Sequence, residues 1–75
     1  MNNLLIWFSD KTYYEMNNVL RIEYFDVLGD SILVSEDELL THRFPTTREL
    51  HFFSGNESYT TAGKTIKSIQ ITKKS

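Results

Sequence analysis

LLIWFSDKTYY, residues 4–14, joins five consecutive apolar residues, Leu4 to Phe8, to a polar turn and a pair of tyrosines, and a similar stretch, LHFFSGNESYT, occupies residues 50–60. Side chains alternate between the two faces of a strand, so the doublets Trp7–Phe8 and Phe52–Phe53 cannot each enter a one-sided core. With Leu5 laid on Leu50, Trp7 meets Phe52, Phe8 meets Phe53 and Ser9 meets Ser54. One residue added in the second turn brings Tyr13 onto Tyr59, and another brings Ile22 onto Ile69. Two related hairpin units, 4–24 and 49–71, result, either by duplication or by convergence on a common hairpin pattern. This alignment assigns Leu5, Trp7, Leu50 and Phe52 to the core, joined by the alternating sets Leu20, Ile22 and Tyr24, Ile32 and Val34, and Ile69 and Ile71. Ile6, Phe8 and Phe53 then face a second layer. A short helix near Leu39 and Leu40 supplies it, or the sheet closes into a barrel; rings left uncovered call for a partner or a second copy.

The rest of the chain reads in the same idiom. Ten aromatics, frequent β-branched residues and closely spaced turn residues predict strands at about 4–9, 12–17, 19–27, 31–35, 48–54, 58–62 and 65–72. Asp10-Lys11, Asn17-Asn18, Leu28-Gly29-Asp30, Gly55-Asn56-Glu57 and Gly63-Lys64 connect them, most being short enough for antiparallel hairpins. Ser35 three residues before Glu38 has the spacing that satisfies free amides at a helix start, which predicts a short helix near 36–41. Pro45 drives Phe44 toward extended backbone, so Phe44-Pro45-Thr46-Thr47 becomes a surface loop. The expected fold is mainly β, a strongly curved antiparallel sheet or small barrel with that one helix, in a single domain spanning residues 1–75 with a flexible tail at 73–75.

At 75 residues the domain lies near the lower limit for a core without metal or crosslinks. Cysteine is absent and the only imidazoles are His42 and His51, which rules out disulfides and a structural zinc site. The longest apolar run, Leu4 to Phe8, is too short to span a bilayer and lacks the flanks of a signal peptide, which points to a cytoplasmic protein. Residues 1–57 carry ten acidic and four basic side chains and residues 58–75 four lysines, giving −6 and +4 within a net −2. Such a distribution argues against the broadly basic surface of a duplex-binding protein.

Chemical constellations are sparse. Ala62-Gly63-Lys64-Thr65 lacks the earlier glycine of a phosphate loop, where Ser58 stands instead, and strand-like residues follow it. Glu38 and His42 have helical i, i+4 spacing, but no nucleophile accompanies them; His51 reads as a half-buried strand residue. Glu36, Asp37 and Glu38 lack the alternate spacing of a calcium loop and suit a helix start instead. No catalytic residues, metal or cofactor are expected. Tyr59, Lys64, Lys67, Lys73 and Lys74 offer the ring and the positive charges that small barrels use on single-stranded nucleic acid, although the acidic majority opposes direct binding.

FSDKTYYEMNNVLRIEY, residues 8–24, with GKTIKSIQITKK, residues 63–74, resembles the small β-rich accessory proteins of phages and mobile elements of Gram-positive bacteria. That class includes anti-CRISPR inhibitors. The resemblance implies a non-enzymatic module that inhibits a larger host protein or ribonucleoprotein complex by stoichiometric binding in the host cytosol. Candidate contacts are Glu36, Asp37 and Glu38 toward a basic surface, and Phe8, Tyr14, Phe44 and Phe53 toward an apolar one. The alternatives are a single-strand-binding barrel and a self-assembling accessory protein, the latter forming a homodimer.

Overall fold

The computed structural model describes residues 1–45 and 47–73. Its strands are β1 (Asn2–Phe8), β2 (Tyr13–Met16), β3 (Arg21–Phe25), β4 (Ser31–Ser35), β5 (Glu49–Phe53), β6 (Ser58–Ala62) and β7 (Ile66–Lys73). All seven fall where the aromatic and β-branched runs place them. They form two antiparallel sheets, one of order β2-β1-β7 and one of order β4-β3-β5-β6, sharing a single apolar core. The second layer is therefore another sheet, and among the described residues no closed barrel forms. Lys73, expected in a flexible tail at 73–75, pairs with Asn2; Lys74 and Ser75 of that tail, and Thr46 of the expected loop, lie outside the described residues.

Three of the connections are hairpins, β1–β2, β3–β4 and β5–β6. The other two short turns carry the chain between sheets. After Asn18, held at a positive φ of 56°, Val19 N–H donates to the Asn2 carbonyl at 2.7 Å and Leu20 N–H to the Phe53 carbonyl at 2.8 Å. One residue thus remains tied to the first sheet while its neighbour joins the second. Gly63 N–H reaches the Arg48 carbonyl at 2.8 Å before a 3₁₀ turn, Gly63–Thr65, leads into β7. As a result β1 lies between β2 and β7, and β5 between β6 and β3, so each outer hairpin receives its third strand from the opposite half of the chain.

The phase of β1 differs from expectation. Leu4 and Ile6 are buried, while Leu5 is half-exposed and Trp7 lies on the surface. In β5 the buried pair is Leu50 and Phe52, as expected. The cause is turn length: Phe8 N–H closes on the Thr12 carbonyl, whereas Ser54 N–H closes on the Glu57 carbonyl. The extra residue therefore lies in the first turn, and moving it to the second shifts β1 by one place, which exchanges its faces. Ile22 and Ile69 do occupy matching positions, opposite Phe52 and Ile6 respectively.

No α-helix forms among the described residues. Residues 36–41 give a 3₁₀ turn at Glu36–Glu38 continued by Thr41 and His42 amides donating to the Glu38 carbonyl. Ser35 does not cap it; its hydroxyl donates to the Asp37 and Glu38 carboxylates at 2.6 and 2.7 Å. With the hydroxyl diverted and Pro45 close behind, only Leu39 from this segment enters the core.

The β3–β4 turn is tightly braced. Asp26 Oδ1 accepts from the Leu28 and Asp30 amides, each at 2.9 Å, and Gly29 has φ 85°. A Cβ at Gly29 meets nothing within 4 Å, so Gly29→Ala tests backbone strain alone and should lower stability by about 1 kcal/mol. Gly55 is equally open without the positive φ, and Gly55→Ala should not destabilise. Urea melts of both variants compare the two sites directly.

Candidate binding surfaces

The four aromatic rings expected to share an apolar contact face do not share one. Phe8 and Phe44 are half-buried against the core, and Phe44 lies 5.0 Å from the His42 ring. Tyr14 is stacked on Tyr59 across the sheets, with centroids 3.8 Å apart and planes 8° from parallel. Burial, and after it the nearby Glu57 carboxylate, pushes the Tyr14 hydroxyl pKa up. Phe53 lies on the outer face of the four-stranded sheet beneath the Arg21 guanidinium, 4.2 Å from its ring centre. His51 is half-buried, 2.8 Å from Thr60 Oγ1 and 3.3 Å from Glu49 Oε1. His42 Nε2 lies 2.7 Å from the Tyr24 hydroxyl, so its side-chain partner is Tyr24 and not Glu38. Glu36, Asp37 and Glu38 are exposed, and Lys73 shares a groove with Glu36 and Asp37.

Two surfaces appear where the sequence reading named few or no residues. The first is apolar. Phe25 and Leu33 are exposed on the outer face of β3 and β4, and Val27 and Leu28, at the turn between them, are 80% and 82% exposed. In the register Glu23↔Leu33 and Phe25↔Ser31, Phe25 and Leu33 are diagonal neighbours, within reach of each other's side chains. The sequence holds the signal for the tip: two aliphatics inside an Asp-Val-Leu-Gly-Asp turn cannot turn back to the core. β4 is also a sheet edge of composition SILVS, without the charge or proline that blunts most edges. Acidic residues flank it, Asp26 and Asp30 before and Glu36 to Glu38 after.

The second surface surrounds the β1–β2 turn. Trp7 and Tyr13 are cross-strand partners with ring centres 5.1 Å apart, tilted by 46°, and both are exposed. A groove of about 470 Å³ is lined by Trp7, Lys11 and Lys67, while Tyr13, the cross-strand partner of Trp7, lies outside its lining. A neighbour of about 490 Å³ is lined by Tyr59, Lys64 and Asp10, and Phe8 and Ser9 line both. Lys11 is placed by a positive φ of 74°. Lys67 sits where the β1–β7 register shifts, between the pairs Trp7↔Ser68 and Phe8↔Ile66.

Asp10 fixes this turn. Its Oδ1 accepts from both the Thr12 hydroxyl and the Thr12 amide, with the hydroxyl bond the larger cause of a pKa held below the usual aspartate range. The stabilisation is present above the unfolded-state pKa and is lost as pH falls through the lower folded value. An NMR titration should find Asp10 depressed and Thr12→Ala should raise it; an unchanged value in that variant would show that the bond is not its cause.

Among the described residues no group of three or more His, Asp or Glu side chains is placed to hold a metal ion, and no helix is long and apolar enough to cross a membrane. Comparison with protein-family models, with curated proteins and with solved structures finds no match to this chain.

Proposed function

We propose that the protein is a non-catalytic protein-binding module acting in the host cytosol, and that its contact surface is the β3–β4 hairpin. The observation that carries this reading is the concentration of Phe25, Val27, Leu28 and Leu33 on a hairpin whose tip Asp26 and Gly29 brace. Exposing large aliphatics on a flexible loop weakens binding, because the loop must be ordered on contact. A braced turn has already lost that freedom, so more of the buried area appears as affinity. Small, rigid apolar anchors entering a partner's pocket are the usual centre of a tight interface.

The partner chemistry follows from the flanks. An apolar strip with acidic residues at both ends fits an apolar cleft with a basic rim, as on a protein that handles nucleic acid. This agrees with the inhibitor of a host defence complex implied by the resemblance to phage accessory proteins. Glu36, Asp37 and Glu38 serve in it as steering charges, and the strip supplies the affinity.

Affinity capture from lysates of bacteria carrying defence complexes tests the reading. The native chain should retain a protein that the double variant Val27→Asp, Leu28→Asp loses at least a hundredfold, both residues being too exposed for the change to unfold the chain. Reversing Glu36, Asp37 and Glu38 to Lys should chiefly slow association. Equal capture by the tip variant would remove the hairpin from the interface. The open β4 edge also suits a second copy, and this reading predicts a mass in light scattering that doubles with concentration; a monomer throughout excludes it.

A further inference from the structure

We infer that the surface around the β1–β2 turn binds single-stranded nucleic acid, stacking bases on Trp7 and Tyr13 and receiving phosphates on Lys11, Lys67 and Lys64. The site lies apart from the β3–β4 hairpin: Trp7 and Tyr13 are on the three-stranded sheet and the hairpin is on the four-stranded one. Three observations converge on it.

The first is the placement of the rings. Trp7 and Tyr13 are cross-strand partners on the outer face of a sheet whose inner face carries Leu4, Ile6 and Met16. At 40% and 58% exposure they offer free π-faces without having to leave the core. Rings on a rigid sheet with free faces are what sequence-tolerant base stacking requires.

The second is charge. Among the described residues Lys11, Lys64 and Lys67 form no ion pair, although the chain carries ten acidic side chains. Six of those acids, Glu23, Asp26, Asp30, Glu36, Asp37 and Glu38, lie on β3, β4 or the segments that follow them, and line neither groove; Glu49 pairs with Ala62, two residues before Lys64. The carboxylate within the grooves, Asp10, is already engaged by Thr12. Glu15 on β2 and Glu57 beside Tyr14 border the surface and limit its length. Within the two grooves three lysines stand against the one carboxylate of Asp10. This excess of positive charge is confined to the grooves and offset at their border by Glu15 and Glu57, so it attracts a short stretch of polyanion rather than a long one.

The third is shape. The two grooves adjoin at the Phe8–Ser9 segment, which lines both, with Trp7 in one and Tyr59 in the other. Each is large enough for one nucleotide. The irregularity in β1–β7 pairing that frees Lys67 from the ladder is itself the kind of bulge that re-aims a side chain at a site.

Trp7 is the only tryptophan, so its fluorescence reports occupancy directly. Adding a labelled oligothymidylate of about 12 nucleotides at low salt should quench Trp7 and raise the label's anisotropy. The logarithm of the affinity should fall linearly with the logarithm of salt, with a slope of roughly −2 for three phosphate contacts at about 0.7 each. Lys67→Glu keeps the fluorophore and should weaken binding about tenfold while flattening that slope; Trp7→Ala, read by anisotropy, should weaken it about tenfold or more. The hairpin variant Val27→Asp, Leu28→Asp should bind the oligonucleotide like the native chain, which separates this site from the protein-binding one. Absence of quenching at low salt overturns the inference. So does quenching by polyglutamate but not by the oligonucleotide, which would assign the surface to acidic protein segments.

Discussion

Replacing Phe52 with Ala should lower the unfolding free energy by about 3–5 kcal/mol, seen as a fall in the urea midpoint at unchanged m-value. Phe52 has the largest of the fully buried side chains and lies on β5, an interior strand of the four-stranded sheet. Its flanking partners are Ile22 on β3 and Tyr59 on β6. Both flanking partners are thus held by ladders, which limits how far they can close the cavity that the ring leaves. A domain of this size has about 4–11 kcal/mol in total, so the loss removes a large share of it and at the lower end of that range leaves the variant close to half unfolded at room temperature. The adjacent Phe53 provides the control: it is half-exposed on the outer face with Arg21 above it. Phe53→Ala removes that contact and part of an apolar burial, for a loss of about 1 kcal/mol. Equal losses at the two positions would mean that β5 is not one-sided and would undo the two-sheet architecture.

The contrast between β5 and β1 shows which parts of this fold can be read from letters. In Glu49–Phe53 the sequence ELHFF alternates enough for Leu50 and Phe52 to declare themselves the inward pair, and burial follows. Leu4 to Phe8 is apolar on both faces, so period 2 is silent, and the phase rests on where one extra turn residue is placed. β3 is legible for the same reason as β5, since Ile22 and Tyr24 alternate with Arg21 and Glu23 and are buried, whereas Ile32-Leu33-Val34 in β4 is apolar on both faces like β1. Sheet membership was less accessible. Asn17-Asn18 and Gly63-Lys64 announce turns, but turn chemistry does not say whether the next strand pairs with the last or leaves for a second layer. That decision belongs to the core as a whole. The juxtaposition of Trp7 with Lys67 depends on it, because β1 and β7 meet only when the chain's two ends are brought into one sheet. The apolar hairpin tip is readable, since Val27 and Leu28 stand inside a turn signature.

Ile6→Asp should leave the chain largely unfolded at neutral pH, whereas Trp7→Asp should leave it folded. Ile6 is fully buried on the central strand of its sheet, between Tyr14 on β2 and Ile69 on β7. The substitution forfeits about 1.5–3 kcal/mol of apolar burial and adds several kcal/mol for an unpaired carboxylate away from water. Together these match the whole stability expected of so small a domain. One residue along, Trp7 faces solvent and contacts Tyr13 at a ring distance of 5.1 Å. Its removal sacrifices an aromatic pair and some covered surface, a loss of about 1–2 kcal/mol, and the new charge remains hydrated. Circular dichroism and urea melts of the pair therefore read the face of β1 directly. The reverse result, a tolerated Ile6→Asp and an unfolded Trp7→Asp, would turn Leu5 and Trp7 inward. Trp7 would then have no free face for stacking, and the nucleic-acid site would fail with it. The β3–β4 hairpin, held by its own ladder and by Asp26, would keep its apolar tip.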